Sequence, residues 1–435
     1  MTEQPFSILV VGGGAGGLEL ACKLGRKWGP ERVALVDAKL FHIWKPSLHE
    51  VAAGTLDIHQ EGLSYQMLAH DNGFSFVYGA MTGLDASARE LVVSAVMDGD
   101  EEVLPQRRIG YATLVLAIGS VSNDFGVPGV VEHAFSLDGP ADAERFRLRM
   151  LQLLSLADVR KSHDPSAGLD IVIIGGGATG VELAAELREA SSLHAQYGLR
   201  HIDAARDVRI RILEGAPRLL APLAEKVSTA ATRLLKQRHV EVNTSCRVVR
   251  IDADKVTDAD GTVYPAALCV WAAGIKAPPL LAQVGLPVTK GGQVKVDGQL
   301  RVEGHADIFA FGDCAFCLQP DGKSVPPRAQ SAHQQADYLY ALLLRPPGTD
   351  LGASPPYRFQ DHGSLVSIGS SATVGSLMGN LFHSTTWFVE GLFARMVYVS
   401  LHLMHHRAVM GSMRTAVLAM ARFLVKRARP LVKLH

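Results

Sequence analysis

Two short apolar runs, Ser7–Val11 (SILVV) and Ile171–Ile174 (IVII), show no apolar/polar alternation. That pattern predicts strands covered on both faces, as in parallel sheets sandwiched between helices. Each run leads through a glycine cluster into a stretch with apolar residues at helical spacing, LELACKLGRKW after the first and VELAAELREA after the second. Further strands, Arg32–Asp37 (RVALVD) and Val208–Glu214 (VRIRILE), complete two βαβ units. The expected fold class is α/β, with two Rossmann-like dinucleotide-binding domains.

The glycine clusters carry the chemistry. Gly12, Gly14 and Gly17 form GxGxxG between strand and helix, and Gly175, Gly177 and Gly180 repeat it 163 residues later. The first glycine of each set permits a tight turn, the second lets backbone approach a pyrophosphate, and the third lets helix pack on strand. The helix N-terminus then faces the phosphates. Asp37 and Glu214, each ending its unit's second strand, are placed to accept hydrogen bonds from an adenosine ribose. Glu214 would also repel a 2′-phosphate, which favours NADH over NADPH at the second site.

Beyond residue 385 the periodicity changes character. Phe388, Leu392, Met396, Val399 and Leu403 recur at steps of three or four, while Arg395, His402 and His406 fall on another face. After Gly411, Arg414, Arg422, Lys426, Arg429 and Lys433 gather opposite Met413, Val417, Met420, Phe423, Leu424 and Leu431, with Arg427 off the pattern. Two amphipathic helices are expected. Charged residues interrupt every apolar window of spanning length, so these helices are expected to lie on a membrane rather than cross it.

Composition sharpens this picture. The 435 residues are 48% apolar with 42 glycines, which excludes disordered and fibrous classes. The 43 basic and 43 acidic residues cancel, yet residues 391–435 hold eight Lys or Arg and no acid, leaving −8 on the remainder. A basic, apolar tail favours an anionic lipid surface over nucleic acid as partner. The same helices could instead pack on the body or pair two copies in a homodimer. The N-terminus shows no cleavable signal, which places the expected chain on the cytosolic side. Five cysteines, odd in number, suit a reducing compartment. Cys314 and Cys317 form a CxxC with no second pair or histidine set, so no metal is expected there.

With Thr113–Ser120 (TLVLAIGS), Cys269–Ile275 (CVWAAGI) and Asp307–Ala315 (DIFAFGDCA), the chain resembles the two-dinucleotide flavoproteins. The resemblance implies FAD at the first glycine motif, NADH at the second, and a second domain inserted in the first. It places Gly119 and Gly274 in the turns that leave the two domains, and Asp313 beside the flavin's ribityl chain. Phe41–Gly54 holds no cysteine pair, so thiol-relay chemistry of the disulfide reductases is not expected. Val325–Ala336 (VPPRAQSAHQQA), Asp361–Leu381 and the basic tail resemble, more narrowly, the type II NADH:quinone oxidoreductases.

That likeness implies quinone contacts from Ala329, Gln330 and Gln334, with the two amides sharing one helical face. It also implies a flavin contact at Lys45 and a proton-tuning carboxylate at Glu182. Against Glu182 stands the plainer reading of a solvated acid near a helix N-terminus, and His333 is expected to be structural. The expected activity is NADH to FAD to quinone, without proton pumping, at the cytoplasmic face of the inner membrane. The domain reading is 1–125 and 296–385 for FAD and the quinone helix, 126–295 for NADH, and 386–435 for docking helices. A sulfide:quinone oxidoreductase, a soluble ferredoxin or peroxide reductase, and a non-catalytic NADH sensor are the alternatives.

Overall fold

The structure is a computed structural model that describes residues 5–346, 351–369, 372–378, 386–428 and 432–433. It opens with strand β1 (Phe6–Val11), helix α1 (Ala15–Trp28) and strand β2 (Val33–Asp37). Strands β3 (Ser75–Tyr78) and β4 (Arg107–Leu116) flank them, giving the parallel order β3-β2-β1-β4. Leu9 and Val10 are fully buried, so the uninterrupted apolar run is covered from both sides. The lower half of β4 turns to antiparallel partners at residues 81–93.

The second sheet, also parallel, is built from β5 (Leu169–Ile174), β6 (Val208–Leu213), β7 (Val240–Asn243) and β8 (Leu268–Trp271), in the order β7-β6-β5-β8. Helices α2 (Pro140–Lys161) and α3 (Ala178–Tyr197) belong to this unit. Strand β9 (Ile308–Ala310) then returns to lie beside β4 of the first sheet. One Rossmann-like unit is therefore inserted within the other, as the sequence predicts. Helix α4 (Ala329–Leu343) packs along α1.

A three-stranded antiparallel sheet, β10 (Gly363–Ser367), β11 (Thr373–Met378) and β12 (Thr386–Glu390), precedes the terminal helices α5 (Leu392–Met410) and α6 (Ser412–Ala428). Phe388, expected on the first amphipathic helix, lies in β12 instead. Gly391 at φ 83° breaks the chain between strand and helix, and a spacing pattern cannot sense that break. Along α5, Met396 and Val399 are exposed and His406 is buried, as the spacing predicts, while Leu403 and His402 are half-buried; His405 is buried as well.

Described cations of α6 meet acids of the body. Arg414 pairs with Asp71 and Arg422 with Glu61, and Lys433 beyond the helix bonds Asp57 and Glu144. Met413, Val417, Met420 and Leu424 are left exposed. Among the described residues, Arg414, Arg422 and Lys433 are thus matched by carboxylates of the body, which helical spacing alone cannot reveal. The side chains of Leu392, Arg395, Phe423, Lys426 and Arg427, and all of Arg429, Leu431 and residues 379–381, lie outside the described residues. Among the described residues no helix is long and apolar enough to cross a membrane.

Candidate functional site

The two glycine loops are near copies. Gly12 and Gly175 sit at φ 99° and 110°, and a Cβ on either would lie 2.5 Å from a carbonyl oxygen, of Ala117 and Ala272 respectively. A Cβ on Gly17 or Gly180 would come within 2.0 Å of the Gly12 or Gly175 oxygen, so any side chain would prise helix from strand. Gly14 and Gly177 face open space. Each loop thus presents an unobstructed helix N-terminus, which fits a dinucleotide's pyrophosphate.

The two acids are equally matched. Gly13 N–H and Lys39 N–H donate to Asp37 at 2.7 and 2.8 Å, and Gly176 and Ala216 N–H donate to Glu214. Burial pushes the Asp37 carboxyl up from its ordinary value, against those donors. Arg218 Nη2 donates to the Ala221 carbonyl, while its buried Nη1 has no partner.

At the end of the first sheet, Lys45 Nζ donates to Ser120 O at 2.8 Å, and Ser120 Oγ donates to Asp313 Oδ2 at 2.8 Å. Gly119 takes φ 71° beside them, and Gln293 Nε2 donates to Asp313 O. Lys45, Gly119 and Asp313, far apart in sequence, therefore meet around one point. Gly274 packs against the Phe125 ring at the hinge between units.

A cavity of about 1910 Å³ joins both glycine loops to Ala329, Gln330 and Gln334. This exceeds the roughly 300–1,000 Å³ of a single-ligand pocket. The two glutamines differ. Gln334 is clamped to Gln360, donating to its carbonyl and accepting from its N–H, whereas the buried Gln330 Oε1 has no partner. Gln330 Oε1 is thus open to a donor such as a flavin N–H or a quinol O–H, while its Nε2 is the group able to donate to a quinone carbonyl. The adjacent Gln335 accepts from Gly312 N–H at 2.9 Å and so holds the Asp313 turn, a role the sequence reading misses.

Glu182 is buried, not solvated. It accepts from Ser367 N–H at 3.0 Å, and His49 Nδ1 lies 3.6 Å from its other oxygen. Burial pushes its carboxyl up from the usual range, with His49 opposing. Glu186, one turn on, is pushed up to about 7 by burial and then by Glu50, and accepts from Thr55 Oγ1 at 3.0 Å. Burial alone would lower His49, but Glu182, Glu50 and Glu186 outweigh it and raise it. Burial holds the Tyr398 phenol protonated in the same pocket. His49, Glu186 and Tyr398 are absent from the sequence reading. The i, i+4 spacing of Glu182 and Glu186 is the one signal that could have added a member.

His333 does more than fill space: its Nδ1 meets Glu19 Oε2 at 2.5 Å and its ring lines the cavity. All five cysteines are buried and unbonded to one another. Burial pushes the Cys22, Cys269 and Cys314 thiols to about 12 and Cys317 to about 11, which deprives them of thiolate character. Among the described residues, Glu61, His402 and His406 have the composition of a metal site, but Arg422 already pairs with Glu61.

The pyridine nucleotide-disulphide oxidoreductase family matches residues 6–336. The chain is 36% identical to the type II NADH:quinone oxidoreductase of Haemophilus influenzae, over 99% of this chain and 100% of that one. It is 28% identical to the type II NADH:quinone oxidoreductase Ndh of Mycobacterium tuberculosis, over 92% and 85%. Among solved structures, NDH2 from Plasmodium falciparum in complex with NADH superposes with a TM-score of 0.81 at 20% identity, over 99% and 100%, a likeness of fold. The chain belongs to the type II NADH:quinone oxidoreductases, within the pyridine nucleotide-disulphide oxidoreductase family.

Proposed function

We propose that the chain oxidises NADH through FAD and reduces a quinone at a membrane surface, by the net reaction NADH + H⁺ + quinone → NAD⁺ + quinol. The observation that carries this is the single cavity that both glycine loops share with the α4 residues Ala329, Gln330 and Gln334. FAD would lie along Gly12, Gly14, Gly17 and Asp37, with its ribityl chain at Asp313 and its ring near Lys45, Gly119 and Ala329. It supplies the two-electron chemistry that no side chain offers. NADH would lie along Gly175, Gly177, Gly180 and Glu214, with Gly274 at its nicotinamide end.

Glu182 and Gln330 are the residues we assign to the quinone. Gln334, clamped to Gln360, shapes the wall. Glu186, near neutrality, and the raised His49 hold protons beside Glu182 for delivery to the reduced quinone. The domain division 1–125, 126–295, 296–385 and 386–435 stays part of this proposal, with strand Val294–Val296 straddling its second boundary.

The exposed apolar faces of α5 and α6 are assigned to the lipid interface on the cytoplasmic side. A second copy of the chain is the competing occupant, which vesicle binding by a monomer distinguishes.

Stopped-flow flavin absorbance tests the activity. Rapid bleaching by NADH, slower bleaching by NADPH, and recovery on adding a short-chain quinone are expected. Bleaching without recovery overturns the quinone assignment, and the absence of bleaching overturns the activity.

A further inference from the structure

Glu19 is 1% exposed on α1, five residues past Gly14, and three histidines from distant segments converge around it. His333 of α4 meets its Oε2, and His405 Nδ1 of α5 lies 2.8 Å from its Oε1. His405 Nε2 is 2.9 Å from His42 Nε2, and His42 Nδ1 is 2.9 Å from the carbonyl oxygen of Gly13. Trp44 covers His405 with ring centroids 4.5 Å apart. Helix α5 thereby reaches the first glycine loop through a continuous buried chain.

The direction of that chain follows from counting protons. A carbonyl oxygen only accepts, so His42 must donate from Nδ1. Burial pushes His42 well below its ordinary value, so its ring is neutral and Nε2 accepts. His405 must then donate from Nε2. Burial would raise Glu19, but its bonds to His333 and His405 bring it down to about 2, so it is a carboxylate and accepts from His405 Nδ1. His405 thus donates from both ring nitrogens, to His42 and to Glu19.

The chain ends on one peptide. Gly13 O is gripped by His42 and by Tyr65 Oη, the latter at 2.7 Å. In a trans peptide the N–H points opposite the carbonyl, so fixing Gly13 O inward aims Gly14 N–H outward, into the open space beside Gly14. That is the backbone expected to meet the pyrophosphate.

We propose that Glu19, His405 and His42 are positioning residues through which helix α5 fixes the Gly13–Gly14 peptide and so retains the flavin. The proposal rests on the reading of the first glycine loop as the flavin site.

The test measures flavin release from the purified holoenzyme by the gain in free-flavin fluorescence after dilution. The wild type is compared with His405→Ala, His42→Ala and His42→Asn, and the KM for NADH is read alongside. His405→Ala and His42→Ala are expected to release flavin roughly ten-fold faster or more, the size expected for losing a buried charge-assisted bond. Asparagine places an N–H where Nδ1 stood but does not reach His405, so His42→Asn should release flavin at a rate between those of the wild type and His42→Ala, and no variant should change the KM for NADH. Wild-type rates in both alanine variants would overturn the proposal. So would equal loss from His42→Asn and His42→Ala when both show wild-type circular dichroism, since the donated bond would then be irrelevant. A wild type that purifies without flavin would instead defeat the reading of the loop.

Discussion

The two glycine loops match in backbone and differ in what stands behind them. Gly176 O, the counterpart of Gly13 O, is held by the backbone N–H of Leu220 at 2.8 Å, a local contact within its own unit. Gly13 O is held by two side chains, one of them tied through buried charge to a helix some 390 residues away in sequence. A group retained through every turnover needs a rigid cradle, while a co-substrate must leave after each one. The difference suggests how a duplicated motif came to serve one resident and one visiting dinucleotide.

The harshest break of this comparison is a methyl group at the tightest point of each loop. Gly17→Ala and Gly180→Ala each force a Cβ to within 2.0 Å of a carbonyl oxygen. Gly17→Ala is expected to purify almost free of flavin, by its absorbance at visible wavelengths. Gly180→Ala should keep its flavin and lose more than ten-fold in kcat/KM for NADH. If both variants lose flavin alike, the two loops do not divide the work.

A smaller effect should separate the two acids. Glu214→Gln removes the charge that opposes a 2′-phosphate, so the NADH/NADPH ratio of kcat/KM is expected to fall roughly ten-fold, about 1.4 kcal/mol. Asp37→Asn should leave that ratio unchanged, because its acid faces the other dinucleotide. An equal change in both would mean the assignment of ligands to loops is wrong.

Behind the second loop lies a third contrast: Glu186 is costly to ionise where Glu19 is not. Its carboxyl rises from 4.5 to about 7, so the folded state binds the extra proton and stability falls as pH climbs between those values. The charged form is disfavoured by about 3 kcal/mol at the upper end, an order-of-magnitude figure. Glu186→Gln should therefore gain melting temperature over the parent as pH rises through this window and then hold a constant lead. In stopped flow it should flatten the pH dependence of flavin reoxidation by quinone near 7 and leave reduction by NADH as before. A parallel pair of melting curves would show that Glu186 titrates normally.

The parallel sheets, the glycine loops and their acids were legible because each rests on a local pattern: an apolar run, a turn that tolerates only glycine, a strand ending in a carboxylate. Lys45, Gly119 and Asp313 were legible only through resemblance, since nothing in their spacing says they meet. The proton-holding pocket and the Glu19 chain stayed hidden for a plainer reason. His49, Glu186, His42 and His405 lie on segments whose pattern reads as ordinary helix or loop, and their chemistry arises from burial that tertiary packing alone creates. Gln334 shows the converse: its helical face was right, but the bonds to Gln360 come from a residue 26 positions away.

The terminal helices carry the smallest expected effect. Helical spacing separates basic from apolar residues but cannot say which side meets lipid. Arg414 and Arg422 are engaged by Asp71 and Glu61, while Met413, Val417, Met420 and Leu424 of α6 are exposed without such partners. Lipid binding should then depend on apolar area rather than charge. Met413→Ser with Met420→Ser is expected to weaken sedimentation with neutral phosphatidylcholine vesicles roughly ten-fold, each lost side chain forfeiting about 0.7 kcal/mol of partial burial. Arg414→Gln, which breaks an exposed ion pair, should cost under about 1 kcal/mol of stability and leave vesicle binding nearly unchanged. If Arg414→Gln weakens binding and the methionine pair does not, the basic face meets the membrane after all, and the ion pairs to Asp71 and Glu61 must open when the protein docks.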